Sequence, residues 1–248
     1  MTDLHSHVLP GMDDGAKSVE ISLRMLRAEW KQGVSTVVAT PHFYRDVESP
    51  RSFLHRRKEA VQRLMEGMKP LPMESLKRFP SVRLGAEVAW VPNLALWPEL
   101  RQLCYEGTSY ILIEPPFQPW SESMFRQLYD LIDGEGLTPV IAHLDRYLDR
   151  QDSGKIREIC AMGLPIQISA DMFSGVFNRL KGMRLIKSGK AQLLISDCHN
   201  MTTRPPNLGP AMEYLRGKLG ERAEALFDAT DEIIRPRRET RLFEAVSK

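Results

Sequence analysis

The sequence predicts an α/β protein of parallel strand–helix–strand units, in a sheet covered on both faces or closed as a barrel. Three observations carry that expectation. Seven short apolar runs recur along the 248 residues, nearly all separated by amphipathic stretches of helical period. Glycines close those stretches, as helix C-termini favour. Most of the apolar runs also finish on a histidine or a carboxylate, which is the pattern of strand ends converging on a catalytic mouth.

The first run lies in DLHSHVLPGMDDG (3–15). His5 and His7 are two apart, so a strand would point both to one face, and the Pro10-Gly11 turn brings Asp13 and Asp14 back toward its end. A helix is expected from Ser18 to Gln32, closed by Gly33, then a strand at VSTVVAT (34–40). A second helix is expected over about 52–65, followed by an irregular linker, MKPLPMESLKRFP, and the strand SVRLGAE (81–87). The remaining strands are SYILIE (109–114), LTPVIAH (137–143), PIQIS (165–169) and AQLLISD (191–197). Helical patterns closed by Gly107, Gly136, Gly163 and Gly189 precede them.

The strand ends then read His5 and His7, His42, Glu87, Glu114, His143, and Asp197 with His199. Five of the six histidines belong to this set; His55, mid-helix beside Arg56 and Arg57, is expected on the surface. With Asp14 these make nine candidate ligands, too many for one ion and enough for two or three if a carboxylate is shared. Imidazoles and carboxylates without thiolate suit manganese, iron or zinc.

Composition sets the outer bounds. Hydrophobic content of 42% and charged content of 27% suit one globular domain over 1–248. A net charge of +2 gives no argument for nucleic acid, and the basic clusters Arg56-Arg57-Lys58 and Arg235-Pro236-Arg237-Arg238 read as solvated faces. No apolar run approaches the ~20 residues needed to span a bilayer, and no leader pattern precedes the histidines. Three widely spaced cysteines without a CxxC pair point to a reducing compartment. The expected location is the cytoplasm.

The motifs DLHSHVLPGMDDG, ATPHF (39–43), GAE (85–87), LIE (112–114), TPVIAHLDRY (138–147) and SDCHNMTTRPP (196–206) resemble the PHP (polymerase and histidinol phosphatase) superfamily. The resemblance is closest to the manganese-dependent protein tyrosine phosphatases of bacterial capsule and exopolysaccharide operons. It implies a distorted (β/α)7 TIM-like barrel with a trinuclear site, in keeping with the seven strands. It also implies that His5, His7, Glu87 and Asp197 hold one ion, that Glu87, Glu114 and His143 hold a second, and that Asp14, His42 and His199 hold a third. Arg146 and Arg204 match arginines that bind the phosphate. Asp145 stands where relatives commonly carry Glu, a shorter acid that would shift Arg146, and the match weakens after Gly220.

The implied reaction is hydrolysis of a phosphotyrosine protein, a bacterial tyrosine kinase, with Mn²⁺ as cofactor and neither nucleic acid nor membrane insertion involved. Metal ions would neutralise the phosphoryl oxygens and acidify water, and arginine forks would add paired donors. Asp14 or a water is available as general acid. Hydrolysis of a small phosphomonoester, such as histidinol phosphate or a sugar phosphate, and a non-catalytic regulatory barrel are the alternatives. Cys198 to Arg204 also spells C-x5-R, the pattern of thiol-dependent tyrosine phosphatases. Pro205 and Pro206 remove amide donors from that loop and no glycine allows an anion nest, so Cys198 is expected to point away from the chemistry. Two regions stay open. Arg45, Arg51, Arg56 and Arg57 suit either a solvated helix or a rim for an acidic tail, and LFDATDEII (226–234) suits either packing or an interface.

Overall fold

The computed structural model describes residues 1–235. In chain order its strands and helices are β1 (Thr2–Ser6), α1 (Val19–Lys31), β2 (Thr36–Ala39), β3 (His42–Phe43), α2 (Pro50–Met68), α3 (Met73–Leu76), β4 (Ser81–Leu84) and β5 (Glu87–Ala89). They continue with β6 (Tyr110–Glu114), α4 (Glu122–Asp133), β7 (Thr138–Ile141), α5 (Ser153–Ala161), β8 (Gln167–Ser169), α6 (Val176–Lys187), β9 (Leu193–Ile195), α7 (Leu208–Leu219) and α8 (Ala225–Ile233).

Every strand pair is parallel. The lower halves of the early strands pair in the order β1-β2-β4, and β3-β5-β6-β7 continue the ladder above them. β2 and β3 are one strand interrupted at Thr40-Pro41, and β4 and β5 one strand interrupted at Gly85-Ala86. The backbone bonds Gly85 N–H to Ala39 O (2.9 Å) and Glu87 N–H to Pro41 O (3.1 Å) bridge the gaps. A Cβ at Gly85 would lie 3.0 Å from the Tyr105 ring and 3.2 Å from Thr40, so the crowded interior favours glycine there. Ile141 N–H to Pro165 O (2.9 Å) joins β7 to the β8 strand, which pairs with β9. The last seam runs from β9 back to β1 through Asp197 N–H to His5 O and His7 N–H to Cys198 O, both 2.9 Å. The seven strands close into a distorted (β/α)7 TIM-like barrel.

Side-chain alternation separates two cores. Leu4, Val38, Leu112, Val140, Leu193 and Ile195 fill the barrel, together with Tyr105. Val37, Ala39, Ile111, Ile113, Ile141 and Leu194 face outward into the layer under the helices. Ile233 and Ile234 join the inner cluster, Thr2 Oγ1 donates to Asp231 (2.6 Å), and Arg83 donates to Ile234 O (2.7 Å). α8 therefore closes the end of the barrel opposite the strand C-termini, and the 226–234 stretch is packing. Pro236–Arg238 of the basic cluster lies outside the described residues.

The helices begin where side-chain caps satisfy their first amides. Ser18 accepts from Ile21 N–H at α1 (3.3 Å) and Ser121 from Met124 N–H at α4 (3.3 Å). α2 starts two residues earlier than expected, because Ser49 caps it and Pro50 suits the first helical turn, and it continues to Met68. The linker after it holds the one-turn α3. The helix expected before Gly107 is absent. Two 3₁₀ turns, Leu94–Leu96 and Leu100–Leu103, take its place, because Pro92 and Pro98 withhold amides and Asn93 sits at φ +63°. Among the described residues, no helix is long and apolar enough to cross a membrane.

Candidate metal centre

The mouth at the strand C-termini gathers all nine of the histidines and carboxylates singled out in the sequence. They fall into overlapping groups: His7, Asp14, His42 and His199; His5, His7 and Glu87; His5, His143 and Asp197; and His42, Glu87 and Glu114. Glu87 is the hub. Its Oε2 lies 3.1 Å from His5 Nε2, 3.3 Å from His7 Nε2 and 2.9 Å from His42 Nδ1, and its Oε1 lies 2.7 Å from His143 Nε2. His143 Nε2 is also 3.7 Å from Glu114 Oε1. Asp14, exposed at the rim, brings Oδ1 to 3.3 Å from His199 Nε2 and 3.5 Å from His42 Nε2.

Local backbone irregularities aim several of these side chains. Simple alternation would send His5 outward with Asp3, but the β1–β2 register slips between Asp3 and Ser6, and His5 turns inward. Ala142 faces the barrel, so His143 would face away; its φ of +25° swings it back. Asp197 sits at φ +51°. Left-handed backbone at two non-glycine residues costs energy that ordinary packing does not require.

Second partners fix the imidazoles. His5 Nδ1 lies 2.9 Å from Gln167 Oε1, and His7 Nδ1 lies 2.7 Å from Asp13 Oδ2. His199 Nδ1 lies 2.9 Å from Asp197 O. These acceptors place a proton on each Nδ1 and leave a lone pair on each Nε2. The Nε2 atoms of His5 and His7 then face one another at 3.3 Å, with Glu87 and Asp197 oxygens around them. Five such atoms are buried without a hydrogen-bond partner: His42 Nδ1, Glu87 Oε2, His143 Nδ1, Asp197 Oδ1 and His199 Nε2. Converging lone pairs on buried imidazoles and carboxylates are costly unless a cation lies between them. The donor set fits hard-to-intermediate divalent metals.

The electrostatics show how much negative charge converges on the imidazoles. Burial opposes charge on His5 and on His7. The Glu87 and Asp197 carboxylates raise His5 above its ordinary range nonetheless, and Asp13 raises His7 further. Burial also opposes ionisation of Glu87 and Asp197, but His5 leads the neighbours that hold both well below the usual carboxylate range. Burial, then the Glu87 charge, raises Glu114. Burial and the neighbouring His7 push His199 down to about 3, so it stays neutral.

Arg146 and Arg204 both reach Asp197 Oδ2, and Arg204 also comes within 3.9 Å of Asp14. Asn200 Oδ1 builds the loop behind Arg204, accepting from the N–H groups of Thr202 (2.9 Å), Thr203 (2.8 Å) and Arg204 (3.1 Å). Asp145 accepts from Ser169 N–H (2.8 Å), tying the loop before Arg146 to β8. Of the arginines on α2, Arg51 is exposed, whereas Arg56 and Arg57 turn to the protein. Arg56 bonds Glu48 and Met12 O, and Arg57 donates to Gly85 O (2.6 Å), so both brace the loops under the mouth. Arg45 lies over Trp97 at 5.7 Å, and His55 is exposed beside Glu59.

Cys198 faces away from the mouth. Its buried thiol donates to Glu29 Oε1 on α1 (3.5 Å), and burial with the Glu29 and Asp3 charges raises its pKa well above the ordinary value. A thiolate is the wrong species for that environment.

The same geometry has relatives. The family model described as capsular polysaccharide synthesis, CpsB/CapC, matches residues 1–235. The chain belongs to this family. It is 30% identical to the tyrosine-protein phosphatase YwqE of Bacillus subtilis over 240 residues, 94% of this chain and 91% of that one. It is 28% identical to the tyrosine-protein phosphatase CpsB of Streptococcus agalactiae over 242 residues, covering 92% and 95%. A solved structure from work on YwqE of B. subtilis and CpsB of Streptococcus pneumoniae, titled unique metal-dependent tyrosine phosphatases, superposes with a TM-score of 0.77 at 28% identity over 97% of each chain.

Asp13, Gln167 and Asn200 were not singled out as site residues, although each orients one that was. A polar Gln167 inside the otherwise apolar PIQIS was the available signal for the sixth strand.

Proposed function

We propose that this CpsB/CapC family member is a metal-dependent phosphotyrosine-protein phosphatase of the cytoplasm. Its substrate is a bacterial tyrosine kinase that controls capsule or exopolysaccharide synthesis. The nine residues His5, His7, Asp14, His42, Glu87, Glu114, His143, Asp197 and His199 are its metal ligands, for two or three Mn²⁺ ions, with iron or zinc as substitutes. The observation that carries the reading is the ring of buried, unpartnered ligand atoms around Glu87, with two arginines at its edge.

Divalent ions held there would supply positive charge to phosphoryl oxygens and lower the pKa of water. The chain's own residues orient the ester. Arg146 and Arg204 offer planar forks to the oxygens, a fit that a lysine point charge does not reproduce. Asp13 and Gln167 keep the Nδ1 protons of His7 and His5 in place, so the Nε2 atoms stay available. Glu87, touching four imidazoles, is suited to bridge two ions.

Hydrolysis of phosphotyrosine peptides compared with histidinol phosphate and sugar phosphates tests the substrate class. A kcat/KM at least tenfold higher for the peptides supports the reading, and preference for a small metabolite overturns it.

A further inference from the structure

In four consecutive strands the metal-site residue is followed, within four positions, by an aromatic one: His42 by Tyr44, Glu87 by Trp90, Glu114 by Phe117 and His143 by Tyr147. Aromatic residues are only 8% of the chain, so their recurrence after each of these ends is a feature of the mouth. The opposite arc, after β9, carries Asn200, Thr202, Thr203 and Arg204 instead. Arg146, in the loop that carries Tyr147, reaches across to Asp197 beside Arg204, so the two guanidinium groups gather at Asp197 while the aromatic rings follow the other four strand ends.

Two of the aromatic rings are open to solvent: one rests on a site imidazole, the other on a ring that does. Tyr44, 38% exposed, stacks on His42 with ring centroids 5.3 Å apart and planes 26° from parallel. Phe117, 49% exposed, lies 5.3 Å from Tyr147, whose buried ring stacks in turn on His143 at 5.9 Å and 22°. Tyr147 is locked by its hydroxyl, which donates to Pro115 O (2.6 Å), and Pro115-Pro116 stiffens the approach to Phe117. Arg150 covers one side of Phe117 at 5.1 Å. Trp90 N–H bonds Glu114 O (2.9 Å), joining the third and fourth loops. Single exposed apolar residues are ordinary on a protein surface. Rings held over metal-site imidazoles by locked stacks are a built surface.

We propose that Tyr44 and Phe117 form the aryl subsite of the mouth and set its preference for aryl over alkyl phosphomonoesters. This rests on the phosphomonoesterase reading and names the residues that select the leaving group. A phosphoryl group drawn to the arginine side leaves its ester substituent over the aromatic side. A phenyl ring gains offset or edge contacts there. The alkyl carbons of a serine or threonine phosphate present no such face.

Calorimetric titration of the metal-loaded protein with phenylphosphonate and methylphosphonate, which are not hydrolysed, measures the preference directly. Wild type should bind the phenyl compound about tenfold more tightly, and Tyr44→Ala or Phe117→Ala should each reduce the ratio about threefold. Methylphosphonate affinity should hold in both variants, which also checks their folding, and Phe117→Tyr should keep the preference. Equal binding of the two compounds by wild type, or an unchanged ratio in both alanine variants, overturns the proposal. Phenyl preference without phosphotyrosine-peptide hydrolysis would support this subsite while removing the protein-phosphatase reading.

Discussion

Asp197, Cys198 and His199 are consecutive, yet their side chains enter two different environments. In front of the β9–β1 seam, Asp197 and His199 join His5, His7 and Glu87 at the mouth. Behind it, Cys198 joins Asp3, Ser196 and Glu29. Both clusters are buried, and both bring metal-type ligand atoms within 4.8 Å of one another. Behind the seam, Asp3 accepts from Ser196 Oγ (2.5 Å), Ser196 N–H (3.1 Å) and His5 N–H (3.3 Å), and Ser196 Oγ accepts from Cys198 N–H (3.1 Å). There burial raises Asp3 to about 6 and, with the Asp3 charge, raises Glu29 well above its ordinary value. Behind the seam, burial favours a proton on Glu29, while the Asp3 carboxyl is satisfied by three hydrogen bonds. The front acids are held ionised by imidazoles and arginines, with their lone pairs facing one another. The front cluster keeps its carboxylates ionised and so attracts positive charge; the rear cluster raises the pKa values of its acids instead.

Breaking the front cluster should cost most. Glu87→Gln removes the oxygen shared by several imidazoles, so bound metal should fall by more than one equivalent per chain, and kcat/KM by about a thousandfold, the upper end for one electrostatic group. Loss of a single equivalent, with the others intact, would contradict a bridging Glu87. At the edge of the cluster, Arg204→Lys keeps the charge and loses the fork, so kcat/KM should fall about a hundredfold with metal content unchanged. Wild-type kinetics in Arg204→Ala would remove Arg204 from the site.

The rear cluster should respond differently. Carboxyl pKa values raised in the fold give stability at low pH that is lost as pH climbs through the folded-state value. For Asp3 that loss runs from about pH 4 to about pH 6, and for Glu29 it extends higher. Glu29→Gln has no proton to lose. Its stability relative to wild type should therefore improve steadily as pH rises from about 5 to about 8, read from denaturation midpoints. A constant difference across that range would mean Glu29 holds no proton in the fold.

The seven strands were legible as short continuous apolar runs, and eight of the nine mouth residues by their place at or just past the end of a run; two-residue alternation then sorts neighbours between the two faces. The outward turn of Cys198 followed from the same alternation. What escaped the sequence depends on contacts distant in the chain or on backbone departures from the period. Gln167 meets His5 across 162 positions, and Arg56 and Arg57 find carbonyls of two separate loops. The slip at Asp3–Ser6 and the positive φ of His143 reverse what alternation alone would say about His5 and His143. The missing helix before Gly107 is a case where two prolines outweighed an apolar pattern.

The division between front and rear is tested most directly by stripping the protein with chelator and titrating Mn²⁺ back. Hydrolysis of a phosphotyrosine peptide is followed against bound metal, in wild type and in Cys198→Ser. Activity should vanish without metal, return only as more than one equivalent binds, and follow the same curve in both proteins. Full activity in the stripped protein, or its abolition by Cys198→Ser at full metal content, would contradict the account.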